Sequence, residues 1–235
     1  MPDLADIVAN YFARGYRFRR IEAENAIHTQ SPKVVFLIHG WGVRAVSMEK
    51  LAHALTKLGF TVFNYDYPSA ERNIEDHSQI FLDLYRRILR REHINRKMYF
   101  LTHSMGGILL RSAMAKTSEA ECRKIEAIVM LGPPNQGSVL ARLGRNGLVR
   151  SFNASLADMT TDRNSFVRNI PPPPFLPPVG IIAGRFDGKV ALRNTALPDG
   201  QSYQRTVVDC THPGLRDPGN TLSPILKFFR KKSFQ

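Results

Sequence analysis

Six short apolar runs recur along the chain, and each has the length of a β-strand. The run Lys33–Ile38 (KVVFLI) is apolar at consecutive positions rather than at alternate ones. Such continuity is typical of a strand that is buried on both faces of a parallel sheet. We predict five further strands, at 61–65, 98–102, 127–131, 179–183 and 205–209.

The segments between these runs carry apolar residues at the three- and four-residue spacing of amphipathic helices. Within 74–91, Ile80, Leu84 and Ile88 form such a stripe. The stretch from Leu4 to Phe12 has a similar stripe, but its polar face is acidic, which favours packing on the domain over lying on a membrane. We also predict helices over about 46–57, 105–116 and 222–229.

Strands and helices alternate along the chain, which is typical of an α/β domain with a parallel sheet. We predict a single domain over residues 1–235 whose mostly parallel sheet has six to seven strands flanked by helices. Residues 1–30 form an N-terminal helix and lead-in, and they include a candidate seventh strand at 17–21.

The segment 140–178 interrupts this alternation and ends in the proline-rich run 171–178. Irregular segments of this length are usually functional lids or disordered. A proline-rich run can also be a ligand that a partner domain binds. We favour a stiff return over the active-site edge and keep the lid as the alternative. Four aromatic residues are candidates for an acyl pocket or for the core, namely Trp41, Phe152, Phe166 and Phe175.

The composition is that of a globular protein, with 235 residues of which 43% are hydrophobic. There is no run of 18 apolar residues, and polar residues from Asp3 to Arg14 interrupt the apolar stretch that a secretory signal needs. We therefore expect a cytoplasmic protein. Cys122 precedes one predicted strand and Cys210 ends another, so the two thiols belong at opposite edges of the sheet and no disulfide is expected.

The formal net charge is +13, which attracts anionic lipids or nucleic acids. The arginines are spread along the chain and no nucleic-acid-binding motif accompanies them. We expect no nucleic-acid partner. Peripheral contact with an anionic membrane and a plain solvated surface both stay open.

The predicted strand at 98–102 leads into Thr102-His103-Ser104-Met105-Gly106-Gly107, and a helical pattern follows. A sharp strand–turn–helix of this kind exposes the serine hydroxyl beside a helix N-terminus, where developing negative charge is stabilised. Small residues two before and two after the serine prevent collisions in the turn. Gly106 meets this need, and Thr102 stands where the usual pattern has glycine.

A serine hydroxyl is a weak nucleophile near neutral pH, so it needs a base that a carboxylate orients. In a parallel sheet these groups gather at the carboxyl ends of the strands. Of the seven histidines, His212 follows the last predicted strand and is our candidate base, and Asp187, after the strand at 179–183, is our candidate acid. Three other aspartates compete with Asp187, namely Asp66, Asp209 and Asp217.

Acyl transfer also needs two backbone N–H groups that face the developing oxyanion. Met105 provides one at the predicted helix start, and Trp41 provides the second in the turn His39-Gly40-Trp41-Gly42. His103 is too close in sequence to Ser104 to act as its base, so we predict a structural role for it.

Together these residues resemble the α/β-hydrolases, in particular the small lipase and esterase branch. The resemblance covers about residues 33–230 and rests on HGWG at 39–42, THSMGG at 102–107, LGPPNQGS at 131–138, DGKV at 187–190 and His212, in the order Ser, Asp, His. It implies Ser104 as nucleophile, His212 as base and Asp187 as acid. It also implies Trp41 and Met105 as oxyanion donors, with support from His39, Gly40, Gly42, His103 and Gly106. Besides Thr102, the chain departs from the family in a missing or shortened first hairpin, which indicates a minimal fold.

The resemblance implies a serine hydrolase that cleaves carboxylic esters through an acyl-enzyme, with no metal or cofactor. A thioesterase or an acyltransferase would use the same site. A catalytically silent hydrolase fold that only binds a ligand is a third hypothesis, which the presence of all three triad residues disfavours. The sequence predicts neither the acyl chain length nor the oligomeric state.

Overall fold

The computed structural model describes residues 15–24, 33–94, 97–138, 141 and 154–235. In this part of the chain the strands are β1 Arg17–Ile21, β2 Lys33–Ile38, β3 Phe60–Asp66, β4 Met98–His103, β5 Ile125–Leu131, β6 Val179–Gly184 and β7 Gln204–Val208. They form one sheet in the order β1-β3-β2-β4-β5-β6-β7. Strand β1 pairs with β3 in the antiparallel direction, and the other neighbouring strands are parallel. The mostly parallel sheet and its seventh strand are confirmed, and the predicted helix at 4–12 lies outside the described residues.

The helices between the strands follow the predicted order. They are α1 Glu49–Thr56, α2 Ile74–Arg91, α3 Met105–Met114, α4 Glu119–Cys122, α5 Ala154–Ala157 and α6 Pro218–Lys231, with 3-10 turns at Ala45–Met48, Phe166–Arg168, Leu192–Thr195 and Pro213–Arg216. Helix α6 begins earlier than predicted because Asp217 caps its N-terminus by accepting from the Gly219 N–H at 2.9 Å. None of the described helices has both the length and the apolar character that a membrane span requires.

The sheet is buried on both faces, as the continuous apolar runs predict. On β2, Val34, Phe36 and Ile38 pack in one apolar cluster, and Val35 and Leu37 pack in another. Helices α2 and α3 contribute to the first cluster, and α1 and α6 contribute to the second. The five central strands, β2 to β6, are therefore held between two layers of helices.

The last strand begins and ends one residue earlier than predicted. Strand β7 ends at Val208, so Asp209 and Cys210 belong to the loop beyond it. Asp209 is exposed and accepts a hydrogen bond from Arg185 at 2.6 Å. Cys122 and Cys210 are free, as expected, and both thiols are buried.

The described part of 140–178 runs from the edge of the sheet where Leu156 and Met159 lie beside Ser104 to the opposite, amino edge. Residues 154–170 pack closely, because the Ser155 hydroxyl donates to Ser69 O at 2.9 Å and the Ile74 N–H donates to Asp158 Oδ2 at 2.7 Å. The proline-rich run 171–178 ends at the amino edge. Its Pro178 O accepts from the Ile128 N–H at 2.9 Å, because the chain must return there before β6 begins. Whether the segment acts as a lid stays a prediction.

Candidate active site

Ser104 lies in a tight turn between β4 and α3. Its φ of 54° and ψ of −126° are strained for a residue with a side chain. The hydrogen bonding between β4 and β5 continues up to Ser104, because the Ser104 N–H donates to Leu131 O at 2.8 Å. A Cβ on Gly106 would lie 2.5 Å from Ile38 O, so only glycine fits there. Thr102 is accommodated because its neighbour Gly107 has no side chain, and a Cβ there would meet Thr102 Oγ1 at 3.2 Å.

His212 and Asp187 form a close pair at the same edge of the sheet. The His212 Nδ1 lies 2.6 Å from Asp187 Oδ2. The other oxygen, Oδ1, accepts the backbone N–H groups of Lys189 at 2.8 Å and Val190 at 2.9 Å. The two side chains are only 6% and 2% exposed. The carboxylate is thus anchored at both oxygens, which orients the imidazole.

The three competing aspartates are engaged elsewhere. Asp66 accepts from Arg44 Nη2 at 2.8 Å and from the Ala45 N–H at 3.0 Å. Asp217 caps α6, and Asp209 accepts from Arg185. The structure therefore brings Asp187 to His212 and leaves the other three with different partners.

Gly132, which follows β5, supports this pair and was not singled out from the sequence. Its φ is +53°, and an added Cβ would lie 2.7 Å from Leu215 Cδ1, 3.1 Å from Asp187 Oδ2 and 3.2 Å from His212 Nδ1. The sequence signal that could have identified it is a glycine directly after a buried strand, within LGPPNQGS.

The loop 39–42 lies against Ser104. A Cβ on Gly40 would lie only 2.8 Å from Ser104 Cβ, so the following peptide, which carries the Trp41 N–H, runs beside the serine. The Gly42 N–H is already used, because it donates to Ser69 Oγ at 3.0 Å. Met105 is buried as the first residue of α3.

His39 holds this loop in place from beneath. Its Nδ1–H donates to Gly40 O at 2.9 Å, and its Nε2 accepts from the Tyr67 N–H at 3.3 Å. The Tyr67 hydroxyl in turn donates to His39 O at 2.9 Å. Burial lowers the pKa of His39 to about 4, so the ring is neutral near pH 7 and makes both hydrogen bonds.

His103 contacts the candidate base directly. Its Nε2–H donates to His212 O at 3.1 Å, and the two ring centroids are 4.7 Å apart. Burial, and then the neighbouring His212, lower the pKa of His103 well below its usual value. A neutral ring in this position holds the His212 backbone, and the structural role of His103 stays a prediction.

A cavity of about 190 Å³ opens above Ser104. Its accessible lining surface is mostly apolar and includes a few polar groups, which is typical of a small-molecule site. Its apolar lining is Trp41, Val43, Pro134, Leu156, Met159, Val190 and Pro213, and its polar lining is His103, Ser104, Ser138, Lys189, His212 and Arg216. No group of three or more metal-ligating side chains occurs among the described residues.

Of the four aromatic residues considered for an acyl pocket, Trp41 lines this cavity. Phe166 and Phe175 instead pack against the apolar cluster that includes Phe36 of β2, and Phe152 lies outside the described residues. Leu156 and Met159, from the segment that sequence analysis left without a pattern, provide apolar lining instead. The Ser138 hydroxyl donates to Lys189 O at 2.7 Å and so fixes one side of the cavity.

Comparison with known proteins places this geometry in a family. The family model of the serine aminopeptidases S33 matches residues 29–169. No curated protein matches the chain in sequence. The mature lipase of Bacillus licheniformis superposes with a TM-score of 0.69 at 18% identity, and the match covers 90% of this chain and 98% of that one.

Two further structures show the same fold. Lipase B of Aspergillus fumigatus matches with a TM-score of 0.66 at 16% identity, over 88% of this chain and 54% of that one. An esterase from Rhodococcus sp. matches with a TM-score of 0.59 at 14% identity, over 93% and 94%. Since the family model covers more than half of the 235 residues, the chain belongs to the serine aminopeptidase S33 family and is a serine hydrolase with the α/β-hydrolase fold.

Proposed function

We propose that this enzyme hydrolyses carboxylic esters through an acyl-enzyme, with Ser104 as nucleophile, His212 as general base and Asp187 as the acid that orients it. One observation carries the proposal. Ser104, in a strained turn at the start of α3, shares a cavity with a histidine whose Nδ1 is held at 2.6 Å by an anchored carboxylate.

The geometry supports a defined sequence of proton transfers. Because Asp187 Oδ2 accepts the proton of His212 Nδ1, the His212 Nε2 is left with the lone pair that takes the Ser104 proton. The serine oxygen then attacks the ester carbonyl, and the alcohol leaves with the proton returned by His212. Water, activated by the same histidine, releases the carboxylic acid.

The oxyanion of each tetrahedral intermediate needs donors that are already in place. We assign this role to the Trp41 and Met105 N–H groups. The close approach of Gly40 to Ser104 supports the first assignment, and the position of Met105 at the start of α3 supports the second. The neutral His39 keeps the loop from shifting as charge develops.

The charge of the cavity favours esters over the substrates of an aminopeptidase. An aminopeptidase must hold the protonated amino terminus of a peptide, for which a carboxylate is the natural partner. Among the described lining residues, the permanently charged side chains are Lys189 and Arg216, both cationic. An α-ammonium group would be repelled there.

The test is labelling with a fluorophosphonate probe, run beside hydrolysis of 4-nitrophenyl butyrate, for the wild type and Ser104→Ala. We expect the wild type to label and turn over and the variant to lose both, with kcat/KM reduced on the order of 10⁴-fold or more. Ser138→Ala is the matched control for labelling, because its hydroxyl lines the same cavity but donates to Lys189 O.

Two further substrates separate the remaining alternatives. Butyryl-coenzyme A reports thioesterase activity, and alanine 4-nitroanilide reports aminopeptidase activity. Labelling with turnover of either one in preference to the ester would contradict the ester proposal. A folded wild-type protein that does not label would contradict the nucleophile itself.

A further inference from the structure

The cavity above Ser104 has an uneven charge. Its lining includes the cations Lys189 and Arg216 and no carboxylate. Asp187 is not part of the lining, and its charge is already engaged by His212 and by two backbone N–H groups. A substrate in this cavity therefore meets positive charge that the described protein groups do not balance.

Arg216 is the more constrained of the two cations. Its side chain is half-buried, and its Nε is buried without a hydrogen-bond acceptor among the described residues. No ion pair engages its guanidinium in the part of the chain that the structure describes. The adjacent Asp217 does not compensate it, because that carboxylate caps α6 and lies 3.8 Å from Lys50 Nζ.

The charge of Arg216 also reaches the catalytic edge of the sheet. Burial lowers the pKa of Arg216 itself. The same guanidinium contributes, after burial, to the lowered pKa values of His39 and His103. The positive charge of Arg216 therefore acts on groups at this edge, and its buried Nε–H, which has no acceptor among the described residues, is a cost to the folded protein.

The position of Arg216 suits contact with a substrate. It ends the 3-10 turn Pro213–Arg216, which follows His212 directly. It lines the cavity of Ser104 and also a neighbouring groove of about 300 Å³ beside Val46 and Lys50. A side chain in the wall between two openings can meet a group that extends beyond the ester bond.

We propose that Arg216 determines specificity by binding a carboxylate on the substrate, so that the enzyme prefers esters carrying a second, free carboxylate over neutral esters. This rests on the proposed ester hydrolysis at Ser104. The planar guanidinium presents paired N–H donors that match the two oxygens of a carboxylate. Lys189, whose backbone is fixed by Asp187 at one end and Ser138 at the other, adds a second positive charge.

The experiment compares substrates that differ only in charge. For the acyl side, the 4-nitrophenyl monoester of glutaric acid is paired with 4-nitrophenyl 5-oxohexanoate, in which a methyl ketone replaces the carboxylate. For the alcohol side, 4-(butyryloxy)phenylacetate is paired with its primary amide. We expect wild type to favour the anionic member of at least one pair by about 10- to 100-fold in kcat/KM, mainly through KM.

Arg216→Gln should lower this anionic preference about 10-fold or more, and Arg216→Lys should retain part of it, because an ammonium keeps the charge without the paired donors. Arg230→Gln is the matched control, because it removes the same charge from an exposed site on α6. It should leave the preference within about 2-fold of wild type. In wild type, the preference should also shrink as ionic strength rises from about 0.01 to about 1 M.

The outcomes separate this inference from the function on which it rests. If neutral esters are hydrolysed in a Ser104-dependent way but neither anionic partner is preferred, the inference is overturned and ester hydrolysis stands. A preference that persists in Arg216→Gln, or falls equally in Arg230→Gln, also overturns it. If an Arg216 variant does not fold, a wild-type enzyme without an anionic preference, or with one that salt does not reduce, still overturns the inference.

Discussion

Gly132 offers the sharpest test of how the candidate site is held together. Replacing it with alanine has two separable effects, because φ is +53° and the space around the new Cβ is occupied. The left-handed conformation costs about 1–2 kcal/mol for a residue with a side chain. Overpacking adds about 1–3 kcal/mol. We therefore expect Gly132→Ala to lower the free energy of unfolding by about 2–5 kcal/mol.

The same substitution should reduce catalysis through the geometry of His212. The Leu215 Cδ1 atom, 2.7 Å from the new Cβ, is the end of a flexible side chain and can move aside. The new Cβ would also lie 3.1 Å from Asp187 Oδ2 and 3.2 Å from His212 Nδ1, so the pair itself must move by a few tenths of an ångström. Since a misplacement of about 1 Å costs about 100-fold in rate, we expect kcat to fall by about 10-fold.

Gly200→Ala is the matched control. Gly200 has a φ of +82° with nothing within 4 Å of an added Cβ, so this variant has the conformational cost alone. Urea denaturation gives the two stabilities, and hydrolysis of 4-nitrophenyl butyrate gives kcat and KM. If Gly132→Ala loses no more activity and no more stability than Gly200→Ala, the close contact at the histidine–aspartate pair does not constrain the site.

Two further predictions follow from hydrogen bonds and burial. In Asp187→Asn, the N–H groups of Lys189 and Val190 hold the amide oxygen, which turns the amide NH₂ towards His212 Nδ1. The imidazole of His212 is then forced into the wrong tautomer, and kcat should fall on the order of 10⁴-fold. An equal loss in the exposed Asp209→Asn would refute this account. Burial lowers the pKa values of His39 and His77 from 6.5 to about 4. Stability from these two groups is full above pH 6.5 and is lost as pH falls towards 4, because only the unfolded chain takes up the protons. For each of these two histidines, we expect the free energy of unfolding to be about 2 kcal/mol lower at pH 5 than at pH 7. Urea denaturation at the two pH values measures this, with a smaller loss in His77→Gln, and a flat profile would contradict it.

The strand pattern was predictable because a parallel sheet between two helix layers leaves few positions for polar residues. Lys33–Ile38 is apolar on consecutive positions, and both faces of β2 are indeed buried. The end of β7 was placed one residue too late. Asp209 follows a β-branched run, but its side chain is used by Arg185, and the ladder ends at Val208.

The partners of the candidate base were only half predictable. The order of strand ends identified His212 and Asp187 as candidates, but it left Asp66, Asp209 and Asp217 as competitors. What distinguishes Asp187 is a turn in which its own carboxylate accepts the N–H groups two and three residues ahead. Such local hydrogen bonding depends on backbone dihedral angles, which the residue types alone do not determine.

The cavity lining was the least predictable part. Leu156 and Met159 come from a segment without periodicity, and a loop gains its place through particular contacts rather than through a repeating pattern. The Ser138 N–H donates to Met159 O at 2.8 Å, and a Cβ on Gly137 would lie 2.3 Å from Thr160 O. Arg216 was likewise one cation among many until its burial and its missing acceptor were known.

Three glycines explain why the candidate site is arranged before any substrate binds. Gly40 meets Ser104, Gly106 meets the carbonyl oxygens that end β2, and Gly132 meets the histidine–aspartate pair. At each point a single methyl group would separate elements that the chemistry needs in contact. Each glycine costs conformational entropy on folding, and the buried apolar layers on both sides of the sheet offset that cost. The rigidity of the site therefore comes from the backbone that follows three strands, β2, β4 and β5. The cavity walls, with Arg216 among them, are left to determine which ester is accepted.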